Sequence, residues 1–364
     1  MKLGIDASRA NKNQKTGTEV YAWQLIRELQ KIIPPETEAL LYAREKLESL
    51  LALTASNWKE KILVWPPRFF WTVVRLSYEM LRRPPDLLWI PTHTIPFFAP
   101  KTIVTVHDVG FLARPELYKW TDRVYHLFST WRIIKSAEHI ITVSEFSKRE
   151  IMKYCRVPEE KISVTPLAAD EIFYKRPAAE ITEVQAKYNI NEPYFIFVGT
   201  LEEKKNIRGL LSAFAVFIAK HQNAKLMLAG RPGFGWKKAK LLVPWDSVIA
   251  PGFVEQNDIP ALISGALALI LPSYYEGFGI PVLEAFALGT PVIASNSASL
   301  PEVGGGAALY FNPDKPEELA AAMGIIYKEP ELREKLRAVG LERAKLFSWD
   351  KTAEATWNIL KRFL

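Results

Sequence analysis

The sequence predicts an α/β protein made of two doubly wound domains that face each other across a cleft. Three observations predict it. Short, nearly continuous apolar runs such as IVTV, IITV and LLWI alternate with longer periodic segments along the chain, as parallel strands buried on both faces and joined by helical crossovers do. The alternation stops in a polar, strand-free stretch, Asp170 to Asn191, and then restarts. A chain of 364 residues also exceeds one ordinary core and suits two domains of about 150 to 200 residues each.

The first series supplies seven strand candidates: Leu3–Ser8, Ala39–Ala43, Lys61–Trp65, Asp86–Pro91, Thr102–His107, His139–Ser144 and Ile162–Leu167. Between them the 3.6-residue period predicts helices over Glu19–Ile33, Phe69–Arg83, Trp120–Ser136 and Glu145–Tyr154. Ser144 is placed to cap the last of these. The second series has strands at Tyr194–Thr200, Lys225–Gly230, Val248–Phe253, Leu267–Pro272, Pro291–Ala294 and Ala308–Phe311. Its helices are Ile207–His221, Ile259–Gly265, Val282–Leu288, Pro316–Tyr327 and Glu331–Phe347. The division is therefore expected as residues 1–170 and 171–349. A last helix, Asp350–Phe363, follows the break FSWD and is free to pack on either domain, a return to the first included.

Composition narrows the class. Hydrophobic residues make up 49% and charged residues 24%, which are globular values and exclude a disordered chain. The opening MKLGIDASRA reads as a first strand rather than a signal peptide, and no window reaches the 18 apolar residues or so of a membrane-spanning helix. The single cysteine, Cys155, permits no intrachain disulfide and fits a reducing cytosol. A cytoplasmic protein is expected, with peripheral contact at the inner membrane face as a hypothesis.

Charge is uneven. The first 170 residues carry 25 Lys+Arg against 19 Asp+Glu, the remainder 22 against 21. A basic first half points to an anionic partner, either phosphates, an anionic membrane surface or nucleic acid, set against the plainer reading of a solvated basic surface. Within it, WPPRFFWTVVRLSYEMLRR, Trp65 to Arg83, mixes aromatics with arginines. It reads either as an interfacial helix for anionic lipid or as a core helix with arginine stems on its rim.

Open parallel sheets bind ligands beyond the carboxyl ends of their strands, so residues just after strands carry the functional signal. In SYYEGFGIPVLEAFALGTPVIAS, Glu276 lies in a strand-to-helix loop. Gly277 and Gly279 let the backbone approach a ligand, and Pro281 sits where a helix tolerates proline. The helix start offers unpaired N–H groups to a phosphate or sugar oxygen, and Glu284, one turn in, suits a diol such as a ribose. The spacing fits a nucleotide sugar. The bland alternative is a loop whose acid favours the helix dipole.

EGFGIPVLEAFALGTPVIASNSASLPEVGG, with Glu, seven residues, Glu, resembles the signature of the family 4 retaining glycosyltransferases of the GT-B fold, whose two domains are Rossmann-like. VGTLEEKKN (198–206), TVHDVGF (105–111) and ITVSEFSKREI (141–151) match as well, and the resemblance extends over essentially the whole chain. The sub-pattern is similar to mannosyltransferases of bacterial polysaccharide assembly. The resemblance implies that Glu284 holds the ribose and that Glu276 lies beside the donor sugar. Backbone N–H groups of Gly277, Phe278, Gly279 and Ile280 would contact sugar or diphosphate. Lys204 and Lys205 map to the basic pair that neutralises the diphosphate, where charge builds as the glycosidic bond breaks. Thr200 stands where many relatives carry arginine, which shifts the phosphate clamp towards Lys205. His107, at the end of IVTVHD, maps to a histidine near the reacting centre, and Gly17, in NKNQKTGTEV, to a loop that closes over the diphosphate. Without the resemblance each has a plainer reading: a packed histidine, a flexible loop, a solvated lysine pair.

The expected activity is a retaining transfer of a hexosyl group, mannosyl favoured, from a nucleotide diphosphate sugar, GDP-sugar over UDP-sugar, to a glycan or lipid-linked saccharide. No cofactor or metal is implied, since no acidic pair or histidine cluster has ligand spacing. The alternatives are a nucleotide-sugar epimerase on the same fold and a basic nucleic-acid-binding protein. The second lacks a recognition helix or an aromatic-basic platform, so no nucleic acid partner is expected.

Overall fold

Buried apolar runs set two parallel sheets. The computed structural model describes residues 1–10, 17–47, 51, 53, 55–67, 70–236 and 245–364. The first sheet contains β1 (Lys2–Asp6), β2 (Glu38–Ala43), β3 (Trp58–Ile62), β4 (Leu87–Ile90), β5 (Thr102–Thr105), β6 (His139–Thr142) and β7 (Ile162–Val164) in the order β3-β2-β1-β4-β5-β6-β7. The second contains β8 (Tyr194–Val198), β9 (Lys225–Ala229), β10 (Val248–Gly252), β11 (Ala268–Leu271), β12 (Val292–Ser295) and β13 (Ala308–Phe311) in the order β10-β9-β8-β11-β12-β13. Neighbours pair in parallel throughout, for instance Ile5 with Trp89 and Leu269 with Ile196. Every residue of β4, β5, β6, β11 and β12 is buried, as strands covered by helices on both faces must be.

Each sheet winds out from its centre in two directions and so has one topological switch point, between β1 and β4 in the first and between β8 and β11 in the second. Loops leaving the carboxyl ends of those neighbouring strands diverge and leave room for a ligand.

The chain divides into two compact units. One comprises Met1–Pro115, Trp120–Leu167 and Ser348–Leu364, the other Glu116–Lys119 and Ala168–Phe347. The last helix, Trp349–Leu360, begins at Ser348, whose Oγ accepts from Lys351 N at 3.3 Å. It belongs to the first unit: Thr352 Oγ1 donates to the Pro166 carbonyl at 2.6 Å, and the Trp349 ring lies 6.4 Å from that of Tyr21. The chain thus ends against the unit in which it began.

Two local expectations are corrected, and one helix was not anticipated. β3 precedes the apolar run Lys61–Trp65, because an edge strand tolerates charge and WKEKI has only one buried residue, Trp58. The segment Phe69–Arg83 opens with a π-helix, Trp71–Leu76, before its α-helix, Ser77–Arg82. Its start is tied at two places, Trp71 Nε1 to the Leu63 carbonyl at 2.8 Å and Thr72 Oγ1 to Asp6 Oδ2 at 3.2 Å, and a wide turn accommodates both. The polar stretch before β8 holds a helix, Ala178–Lys187, with Val184 as its buried residue. One inward side chain is too little for a periodicity argument to find.

Candidate active site

The second unit's switch point collects most of the residues singled out above. The loop after β8 runs from Gly199, with φ of 139°, through Thr200 into a 3₁₀ turn, Glu203–Lys205. The helix Ile207–Ile218 then begins, capped by Asn206, whose Oδ1 accepts from Gly209 N at 3.0 Å. Asn206 adopts the left-handed conformation, φ 51°, which asparagine tolerates. Its Nδ2 donates to the Pro313 carbonyl at 2.9 Å. The backbone here is crowded: a side chain on Gly230, after β9, would place its Cβ 1.7 Å from the Gly199 carbonyl oxygen.

The loop after β11 meets this one directly. Tyr274 N donates to the Lys204 carbonyl at 2.9 Å. Lys205 Nζ pairs with Glu276 Oε1, and Ser273 Oγ donates to the same oxygen at 2.7 Å. Ser299 Oγ lies 2.9 Å from the Glu276 carbonyl and 2.8 Å from that of Phe278, which fixes the turn from outside. Phe278 is buried, its ring edge-on to Phe347 with centroids 5.9 Å apart.

The turn ends in Gly279, φ 101°, and the helix Ile280–Leu288 follows with Pro281 in its first turn. No side chain caps this helix. Among the described residues, the N–H groups of Phe278, Gly279 and Ile280 have no protein acceptor. Three donors and the positive end of a helix dipole therefore share one turn, suited to an anion or a sugar oxygen.

Glu284 is half-buried on this helix and, among the described residues, makes no hydrogen bond or ion pair. Burial first, and then the negative charge of Asp170, push its carboxyl up to about 8. An acid held so far above its ordinary range and lacking a donor is a ready acceptor for hydroxyl groups, which would favour its charged form.

Lys204 is half-buried, 3.5 Å from Glu202 and with Nζ 5.7 Å from the Tyr118 ring centroid. Thr200 is exposed and faces the loop after β9, since a Cβ on Gly233 would meet its Cγ2 at 2.8 Å. A cavity of about 260 Å³ beside this loop is lined by three acids, Glu202, Glu203 and Asp314, and one cation, Arg208. Three carboxylates against one guanidinium suit a diphosphate poorly.

The other two expected residues belong to the first unit. His107 follows β5, and its Nε2 lies 3.1 Å from the Pro91 carbonyl, beyond the end of β4. A carbonyl only accepts, so Nε2 carries the proton and Nδ1 is left as an acceptor. Burial lowers its pKa and keeps the ring neutral, and Tyr21 packs edge-on against it at 4.7 Å. Gly17 is the first residue of the helix Gly17–Ile32 rather than a loop residue, and residues 11–16 before it lie outside the described residues.

Sequence reasoning overlooked four contributors: Ser273, Ser299, Asn206 and Asp170. Asn206 carried a readable signal, an N-cap residue directly before the apolar run IRGLL. Ser299 acts from 23 residues away, and no local pattern announces that.

Known proteins are similar to this chain. The model for Glycosyltransferase Family 4 matches residues 15–171 and that for Glycosyl transferases group 1 residues 180–343. The O-antigen chain mannosyltransferase B of Escherichia coli is 34% identical over 74% of this chain and 73% of its own. The chain is a family 4 glycosyltransferase.

The solved structures similar to this glycosyltransferase share its fold. The sucrose-phosphate synthase of Thermosynechococcus elongatus superposes with a TM-score of 0.77 at 19% identity, over 100% of this chain and 98% of that one. Anabaena HepE, solved in complex with UDP-glucose, gives 0.76 at 16% identity, with 99% of each chain covered. The fold is GT-B, with two Rossmann-like halves. Among the described residues of the glycosyltransferase, no helix is long and apolar enough to cross a membrane.

Proposed function

We propose that the enzyme transfers a mannosyl group from GDP-mannose to a hydroxyl of a glycan or lipid-linked saccharide, with retention at the anomeric carbon and without a metal. The observation that carries the reading is the turn Glu276–Ile280, where a lysine-held carboxylate adjoins three unpaired backbone donors one helical turn before Glu284. The donors and the helix dipole face the diphosphate, whose charge grows as the glycosidic bond breaks. Fixed dipoles and cations are worth most at that moment. Glu284 accepts from the ribose hydroxyls. Glu276 lies beside the sugar, oriented by Lys205 and Ser273, and Lys204 adds positive charge near the leaving group. Thr200 completes the donor contacts within the second unit, and the departing phosphate takes the acceptor proton.

Mannose is favoured because the similar O-antigen enzyme is a mannosyltransferase, and mannose is activated as its GDP derivative. That HepE was solved with UDP-glucose supports a nucleotide sugar as the class of donor. The test incubates the enzyme with GDP-mannose or UDP-hexoses and saccharide acceptors, with and without a chelator, and reads the new linkage by NMR. The expected product is an α-mannoside from GDP-mannose, formed equally in the chelator. Epimerised nucleotide sugar, a β-linkage or loss of transfer on chelation would contradict the proposal.

A further inference from the structure

The helix Trp120–Ser136 turns most of its apolar residues outward. Of its buried residues, Ser129, Thr130 and Ile133, Ile133 alone is apolar, and the rest of the inner side is polar. Ser129 Oγ donates to the His93 carbonyl at 2.7 Å, Thr130 Oγ1 lies 2.7 Å from His93 Nε2, and the His126 ring stacks on Phe111 at 5.1 Å. The side turned to solvent is apolar: Val124, Leu127, Phe128, Trp131 and Ile134, spaced by threes and fours along one face. Phe128 is 48% exposed and Trp131 52%. A helix whose outer side meets only water shows the reverse pattern.

This face continues onto two neighbours. The segment 70–82 exposes Phe70, Val74, Tyr78 and Leu81, between 41% and 66%, and the loop between β4 and β5 exposes Phe97 and Phe98. The three elements are joined. Arg132 Nη2 donates to the Pro96 carbonyl at 2.6 Å, and Phe97 N donates to Ser77 Oγ at 2.6 Å. Between them opens an apolar cleft of about 250 Å³, lined by Phe70, Val73, Ile95, Phe97, Tyr125 and Phe128. Exposed apolar surface that is contiguous rather than scattered marks an interaction site.

Charge identifies the occupant. Cations stand over the exposed aromatics: Lys135 Nζ is 4.2 Å from the Trp131 ring centroid, Arg132 4.5 Å from that of Phe97 and Arg82 5.5 Å from that of Tyr78. The helix carries a single acid, Asp122. Aromatic and aliphatic tips with arginine and lysine heads beside them suit the acyl-headgroup boundary, where cations meet lipid phosphates. A second copy of the chain suits the face poorly, because a two-fold contact would press this face, with Arg82, Arg132 and Lys135, onto a second face of the same positive charge. We propose that this face docks on an anionic bilayer and that the cleft receives a lipid acyl chain. The proposal is independent of the sugar-transfer reading, because docking needs no donor.

Vesicle flotation tests it, with phosphatidylcholine alone and with phosphatidylcholine mixed with phosphatidylglycerol. Phe128→Ser, Trp131→Ser and the pair Arg82→Gln/Lys135→Gln are compared with the unsubstituted chain, each with its melting temperature. All four proteins are expected to melt alike, the changed side chains being exposed. The unsubstituted chain should float with the mixed vesicles and less so at high salt, while Phe128→Ser and Trp131→Ser each partition about tenfold more weakly. The pair should lose the preference for the anionic lipid. Failure to float with either vesicle, or flotation of the serine variants equal to the original, would overturn the proposal. So would a dimer by light scattering that Trp131→Ser converts to monomer.

Discussion

Lys205 and Glu276, 71 residues apart, form an ion pair that ties the loop after β8 to the loop after β11. The pair sits at the second unit's switch point, and Ser273 completes the hold on the carboxylate. Neither residue acts alone, so removing either disorders the other. Glu276→Gln and Lys205→Met should each lower the transfer rate about 10²-fold, and the double variant should be little worse than either. The coupling should amount to about 1–3 kcal/mol. Initial rates at saturating donor measure it, and full additivity would show that the ion pair has no joint role.

Glu284 predicts a stability that depends on pH. Its carboxyl is raised to about 8 by burial and by Asp170, so the folded chain holds this proton more tightly than the unfolded chain does. Stability therefore falls as pH climbs from the ordinary glutamate range to about 8, and the full penalty remains above that. Glu284→Gln removes the penalty. Its melting temperature should exceed that of the original by more at about pH 9 than at about pH 5, while its affinity for a nucleoside diphosphate falls about tenfold. An advantage that does not change with pH would show that the carboxyl is not raised.

Gly279 is where the turn has no room. Its φ is 101°, and a Cβ would meet Leu300 Cδ2 at 2.6 Å. Gly279→Ala should cost about 1–3 kcal/mol by denaturant unfolding and reduce transfer further, because the unpaired donors shift with the backbone. Activity and stability both unchanged would mean that the turn relaxes freely.

The last helix should matter to the first unit. Trp349 is 6% exposed and packs by Tyr21, so Trp349→Ala should cost about 3 kcal/mol. Because Tyr21 also packs on His107, the loss should reach activity as well. Chemical denaturation checks the first effect, and an unchanged midpoint would refute it.

Both sheets were legible in the sequence, because strands such as LLWI and ALIL are buried on both faces and leave unbroken apolar runs. β3 was misplaced because edge burial is one-sided. The arrangement of the candidate site was legible in part for a related reason: residues that follow neighbouring strands of a parallel sheet converge at its switch point, and the motifs that carry Lys205, Glu276 and Glu284 follow β8 and β11. What holds them was not legible. Ser299 and Asp170 reach the site through the fold rather than through spacing. The apolar outer face of Trp120–Ser136 was equally hidden, since periodicity shows that a helix has an apolar side but not which way that side points.

The central claim is that the crevice between β8 and β11 holds an activated sugar. Thermal shift with GDP-mannose, on the unsubstituted chain and on Lys205→Ala and Glu284→Ala, tests it most directly. The account predicts a rise in melting temperature that grows with donor concentration and is lost in both variants. No rise with any nucleotide sugar, or the same rise in all three proteins, would contradict it.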